Sequence, residues 1–146
     1  MGLRSKETGW RNLSNPITKS LTIELAPNYG SVVIWVPTSG KSVLLKGFRI
    51  SGMVTAGFTT DTFSSQFLSF GNQAHGTVAT IGLPIYPFEA NPPVGYQFVT
   101  SEPEMGDGIN FGVGVSVHIR FDNMPTSAVS GTGKIKIKGI IWGEEV

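Results

Sequence analysis

Large apolar side chains recur at every second position through most of this chain, in short runs broken by turn chemistry. "SLTIEL" sets Leu21, Ile23 and Leu25 on one face, and "APNYG" turns the chain. "SVVIWV" (31–36) is continuously apolar, the pattern of a strand buried on both faces. "PTSGK" turns again and leads into "SVLLKGFRIS" (42–51). The Gly-, Thr- and Ser-rich stretch 52–65 reads as a long loop before "QFLSF" (66–70). "TVATI" (77–81) and "LPIYPF" (83–88) are short strands, the second pushed to an edge by Pro84 and Pro87. "VGYQFV" (94–99), "INFGVGVSVHIRF" (109–121) and "KIKIKGIIW" (134–142) complete the series.

No segment carries apolar residues at i, i+3, i+4 over a helical length with caps. The pattern predicts an all-β chain: a single antiparallel β-sandwich, jelly-roll-like, of about eight strands. Residues 19–146 form that domain and residues 1–18 an extended N-terminal arm. Within the arm, Arg4, Lys6 and Arg11 surround one large aromatic, Trp10. It is either a frayed terminus or a segment that orders on a partner, with Trp10 as anchor and the cations as steering charges.

The stretch 109–121 is the longest regular run. At about 3.3 Å per residue it would span roughly 43 Å, twice a usual strand. One face is Ile109, Phe111, Val113, Val115, Val117, Ile119 and Phe121; the other holds Gly112, Gly114, Ser116 and His118. Glycines weaken a strand, so these two need a reason. Either the strand bends as it passes between sheets, or the small face is a flat surface for packing another subunit.

Composition sharpens this. The 146 residues make about one domain, and 40% of them are hydrophobic. Only 14% are charged, against roughly 25% in an ordinary soluble domain, with a net charge of +1. Such scarcity points to a surface partly covered by partner subunits. The absence of cysteine excludes disulfides and thiolate zinc sites. The opening "MGLRSKETGW" has no apolar signal region, Lys6 breaks the myristoylation pattern, and no run has membrane-spanning length, so no membrane partner is expected.

Catalytic chemistry finds little to build on. "TSGKS" (38–42) has the end of a phosphate-binding loop, but Trp35 stands where its first glycine belongs and a strand follows, so it is a hairpin turn. The two histidines, His75 and His118, have no sequence neighbours that would make a triad or a metal cluster. "SEPEMGDG" gathers Glu102, Glu104 and Asp107 without the ligand spacing of a calcium loop, and reads as a solvated acidic turn. "KIKIKG" puts Lys134, Lys136 and Lys138 on one face, without interleaved aromatics for nucleic acid. That face is either solvated, guarding against aggregation, or set against an acidic partner. No catalytic, cofactor or metal residue is nominated, and no enzyme is expected.

Three stretches together, "PTSGKSVLLKGFRISG", "GDGINFGVGVSV" and the closing "KIKIKGIIWGEEV", resemble jelly-roll virion proteins of tailed bacteriophages, most of all capsid decoration (auxiliary, cement) proteins. The resemblance covers about residues 37–146 in pattern. It implies a non-enzymatic structural protein, made in the host cytoplasm, that binds the outside of an assembled capsid and stabilises it. The implied partners are the major capsid protein and further copies of the chain, a homotrimer being favoured. Arg4, Lys6, Trp10 and Arg11 would then grip the capsid.

Two other functions compete. A carbohydrate- or receptor-binding β-sandwich, such as a phage fibre head, would use the rings of Tyr86, Phe88 and Tyr96 around "EANPP". A cupin-like enzyme would need a metal triad that two isolated histidines do not supply.

Overall fold

A computed structural model of the chain describes residues 15–26, 31–57, 66–74, 79–88, 92–122 and 133–146. These residues form nine strands: β1 (Ile17–Leu25), β2 (Ser31–Trp35), β3 (Ser42–Ala56), β4 (Gln66–Gly71), β5 (Gly82–Phe88), β6 (Gln97–Glu102), β7 (Ile109–Val113), β8 (Val117–Asp122) and β9 (Lys134–Glu145). All their pairings are antiparallel. One sheet runs β1-β9-β3-β6, with β7 also paired to β3, and the other runs β2-β8-β4-β5.

The pairings are nested: β1 with β9, β2 with β8, β3 with β6 and β7, β4 with β5. This is a long antiparallel ribbon folded over at β4–β5 and rolled, so that successive pairs land in alternate sheets. Such rolling makes a two-sheet jelly roll. The predicted all-β sandwich is thus the observed fold.

Alternation fixes the core. Val43, Leu45, Ile50 and Val54 of β3 and Ile135, Ile137 and Ile141 of β9 face Leu68 and Phe70 of β4 and Val117, Ile119 and Phe121 of β8, all buried. At one side of the sandwich aromatic rings knit the two sheets. Phe88 meets Phe98 edge-on at 5.1 Å and Phe121 at 5.9 Å, while Tyr86 stacks on Phe98 at 4.4 Å. Edge-to-face and offset contacts of this kind add to the burial of the rings themselves.

Several boundaries differ from expectation. The run 109–121 is two strands in different sheets. The break falls where Gly112 and Gly114 take φ of 102° and 71°, a region that side chains with a Cβ disfavour. The bend is therefore the role these glycines visibly serve. The strand at 31–35 is not buried on both faces: β2 is an edge strand paired only to β8, and Val33 stays 45% exposed. Its apolar run reflects a bulge between Val33 and Trp35 rather than a central position. β3 continues to Ala56, so residues 52–56 of the expected loop are strand, and Ala79–Ile81 of "TVATI" is not strand. β1 begins at Ile17, giving Ile17 and Thr18 to the sandwich rather than the arm.

Candidate docking surface

The outer face of the five-stranded sheet combines residues from three adjacent strands. β9 alternates Ile135 and Ile137 inward with Lys134, Lys136 and Lys138 outward, as its spacing predicts. β3 turns Arg49, Ser51 and Met53 to the same side, and β6 adds Gln97 and Val99. Register sets them in rows. Ile140 lies beside Arg49; Lys138 beside Ser51 and then Val99; Lys136 beside Met53 and then Gln97. Neighbours in a row are about 4.8 Å apart, within side-chain reach of one another.

Apolar and cationic groups therefore interleave on one surface. Val99 is 62% exposed, Ile140 40% and Met53 39%. Two shallow hollows of about 440 and 300 Å³ share Ser51, Val99 and Lys138 in their linings. Lys134 pairs with Glu24 of β1 at 3.5 Å. Among the described residues, Arg49, Lys136 and Lys138 have no carboxylate in ion-pair range.

Beside this face stands the acidic turn of residues 102–107, held firmly to β3. The Met105 N–H donates to the Lys46 carbonyl at 3.1 Å, the Gly108 N–H to the Met105 carbonyl at 3.0 Å, and Lys46 Nζ to the Gly106 carbonyl at 2.6 Å. Glu102 and Asp107 are exposed on it. It is the solvated turn the sequence predicts, fixed to β3 by one backbone bond and one lysine and closed on itself by another backbone bond.

A second cluster joins the sheets at the opposite side. Trp35 of β2 is buried, and its indole N–H donates to Glu145 Oε1 of β9 at 3.1 Å. The Thr38 N–H donates to Glu145 Oε2 at 3.1 Å, and Lys19 Nζ of β1 lies 5.7 Å from the indole centroid. Hydrogen bonds from Thr38 first and Trp35 second hold the Glu145 carboxyl below its ordinary range, because they favour the ionised form. The arrangement is a clasp between sheets.

The residues singled out from the sequence scatter. Arg4, Lys6, Trp10 and Arg11 lie outside the described residues, as does His75. Gly112 belongs to β7, Gly114 and Ser116 to the bend, and His118 to β8, so they do not form one strand face. His118 sits beside Val33 and Gly71 on the outer face of the four-stranded sheet. Burial first, and then the charge of Arg120, push its imidazole below the usual value. Arg120 itself is buried and donates to the carbonyls of Gln73 and Ala74 at 2.7 and 2.9 Å. That pins a loop. Among the described residues, no group of three or more His, Asp or Glu is placed to hold a metal.

The rings proposed as a sugar platform are committed elsewhere. Phe88 is buried, one face of Tyr86 is covered by Phe98, and the Tyr86 and Tyr96 hydroxyls hydrogen-bond to each other. The sequence signal that was missed is a departure from alternation. On three strands the polar face includes one large apolar residue: Met53 after Arg49 and Ser51, Val99 after Gln97, Ile140 after Lys136 and Lys138. Only the strand order shows that these three are neighbours.

No protein-family model matches this chain, and no curated protein matches it. Among solved structures it is similar to a chain of "Structure of infectious bursal disease virus Gx strain", at 9% identity and a TM-score of 0.33. The match covers 88% of this chain and 33% of that one, so this chain spans about a third of that chain's length.

Proposed function

We propose that this chain is a structural protein of a bacteriophage virion, one that docks on the outside of an assembled capsid and stabilises it. The observation carrying this reading is the outer face of the five-stranded sheet, which has the make-up of a surface covered by a neighbouring subunit of an assembled particle. There Met53, Val99 and Ile140 stand exposed among Arg49, Lys136 and Lys138. Apolar side chains gathered on one face beside charges are the composition of a surface that another protein covers. The jelly-roll topology and the resemblance of the three quoted stretches to decoration proteins support the same reading.

In this role the chain needs no chemistry. A protein that binds only the assembled shell stabilises it by mass action, by about 2.7 kcal/mol per site at a hundred times the dissociation constant. Repeated over the shell, modest contacts acting together give high avidity. The major capsid protein is the proposed partner, gripped by the arm through Arg4, Lys6, Trp10 and Arg11.

The test mixes the purified protein with capsids built from the major capsid protein of the same phage. Saturable co-sedimentation and a higher shell disruption temperature are expected, and removing residues 1–14 should abolish binding without unfolding the sandwich. Absence of co-sedimentation at any ratio overturns the reading.

A further inference from the structure

The proposed docking role leaves open what covers the face of β3, β6 and β9. We infer that it is a second copy of this chain, docked head-to-tail through the acidic turn of residues 102–107. This rests on the reading that the face is covered by protein.

Charge decides between arrangements. A two-fold, face-to-face pair would set Arg49, Lys136 and Lys138 against the same cations of the other copy, and like charges across an interface cost several kcal/mol. The same molecule carries the complement. Glu102 and Asp107 are exposed on the turn and, among the described residues, have no cation in ion-pair range. Glu24 of β1 stands beside Lys136 in register and pairs with Lys134. Among the described residues, each copy is thus left with Arg49, Lys136 and Lys138 outside ion-pair range of a carboxylate at one place on its surface and two unpaired acids, Glu102 and Asp107, at another. One contact satisfies both, and it buries Met53, Val99 and Ile140 as well.

The ridge is pre-organised. Its backbone is tied to β3 by the Met105 and Lys46 hydrogen bonds, so docking orders little that is not already ordered. With the ridge of one copy on the face of the next, the head-to-tail contact is heterologous, and repetition closes a ring or extends a chain.

Charge reversal tests this in the full-length protein by sedimentation velocity in low salt, with circular dichroism to confirm folding. Wild type is expected to self-associate, more weakly as salt screens the contact. Lys136→Glu with Lys138→Glu should weaken association roughly tenfold or more, and Glu102→Lys with Asp107→Lys should do the same. All four substitutions together should restore it. A monomeric wild type, association indifferent to either reversal, or a folded quadruple variant that stays monomeric overturns the inference. Capsid co-sedimentation of the same samples reports separately on the docking role, so a monomer that still binds capsids sinks this inference alone.

Discussion

Gly139 gives the most demanding test of the fold. It lies in β9 opposite Ile50 of β3, in the central strand pair of the five-stranded sheet. A Cβ added there would overlap the Arg49 carbonyl oxygen and stand 2.8 Å from the Ile50 Cα. These are backbone atoms of the partner strand, so no side-chain rotation relieves the clash. Overpacking usually costs about 1–3 kcal/mol; with the paired backbone as the obstacle, Gly139→Ala should cost about 3 kcal/mol. Domains a little larger than this one lose roughly 2–4 °C of Tm per kcal/mol, which gives a fall of about 6–12 °C. Gly114 supplies the contrast. Its φ is +71°, but nothing lies within 4 Å of an added Cβ. Gly114→Ala therefore carries only the left-handed backbone cost of about 1–2 kcal/mol, and Gly114→Asn less. Thermal and urea unfolding followed by circular dichroism measure all three. The reasoning fails if Gly139→Ala proves no more destabilising than Gly114→Ala.

Three further outcomes follow from the packing. Phe88→Ala, emptying the centre of the aromatic cluster, should cost about 3–5 kcal/mol in urea unfolding, and a change near 1 kcal/mol would contradict the buried position of that ring. The Glu145 carboxyl titrates lower folded than unfolded, so its stabilising share is complete above the unfolded carboxyl range and fades as pH falls through the folded value. The Tm gap between wild type and Glu145→Ala should be wide at pH 7 and close in acid; a gap independent of pH refutes the clasp. Arg120→Met removes the donor to Gln73 and Ala74 and should cost about 2–3 kcal/mol. The same change lifts the pKa of His118, read by NMR titration, while burial still keeps it below the ordinary value.

Period-two alternation carried the fold class because antiparallel strands with one buried face show it plainly. Ile135, Ile137, Val117 and Ile119 lie on the apolar faces that alternation alone defines, and all four are buried, whereas Val113 on the same pattern is exposed. Alternation fails where one residue is inserted or a strand changes sheets. The bulge at β2 made "SVVIW" look buried on both faces, and the bend at Gly114 let β7 and β8 read as one strand. Neither event alters residue type enough to interrupt the pattern. Pairing is a long-range property, so Met53, Val99 and Ile140 were visible only as three separate exceptions. Their surface exists because β9 lies beside β3 and β3 beside β6.

The two sheets differ in what they allow a neighbour to do. On the four-stranded sheet the edge strand β5 carries Pro84 and Pro87, which lack the N–H a further strand would need, and the other edge, β2, is short and bulged. Both devices discourage strand addition. The five-stranded sheet has no proline in its edge strands β1, β6 and β7. It also holds the cationic face and borders the acidic ridge. On the proposed reading, association is directed to one side of the sandwich by features that act separately: prolines and a bulge guard the edges of one sheet, while Met53, Val99 and Ile140 stand exposed among cations on the other. A rolled ribbon places those features on opposite layers because successive pairs alternate between sheets, so the topology separates the guarded edges from the face proposed for docking.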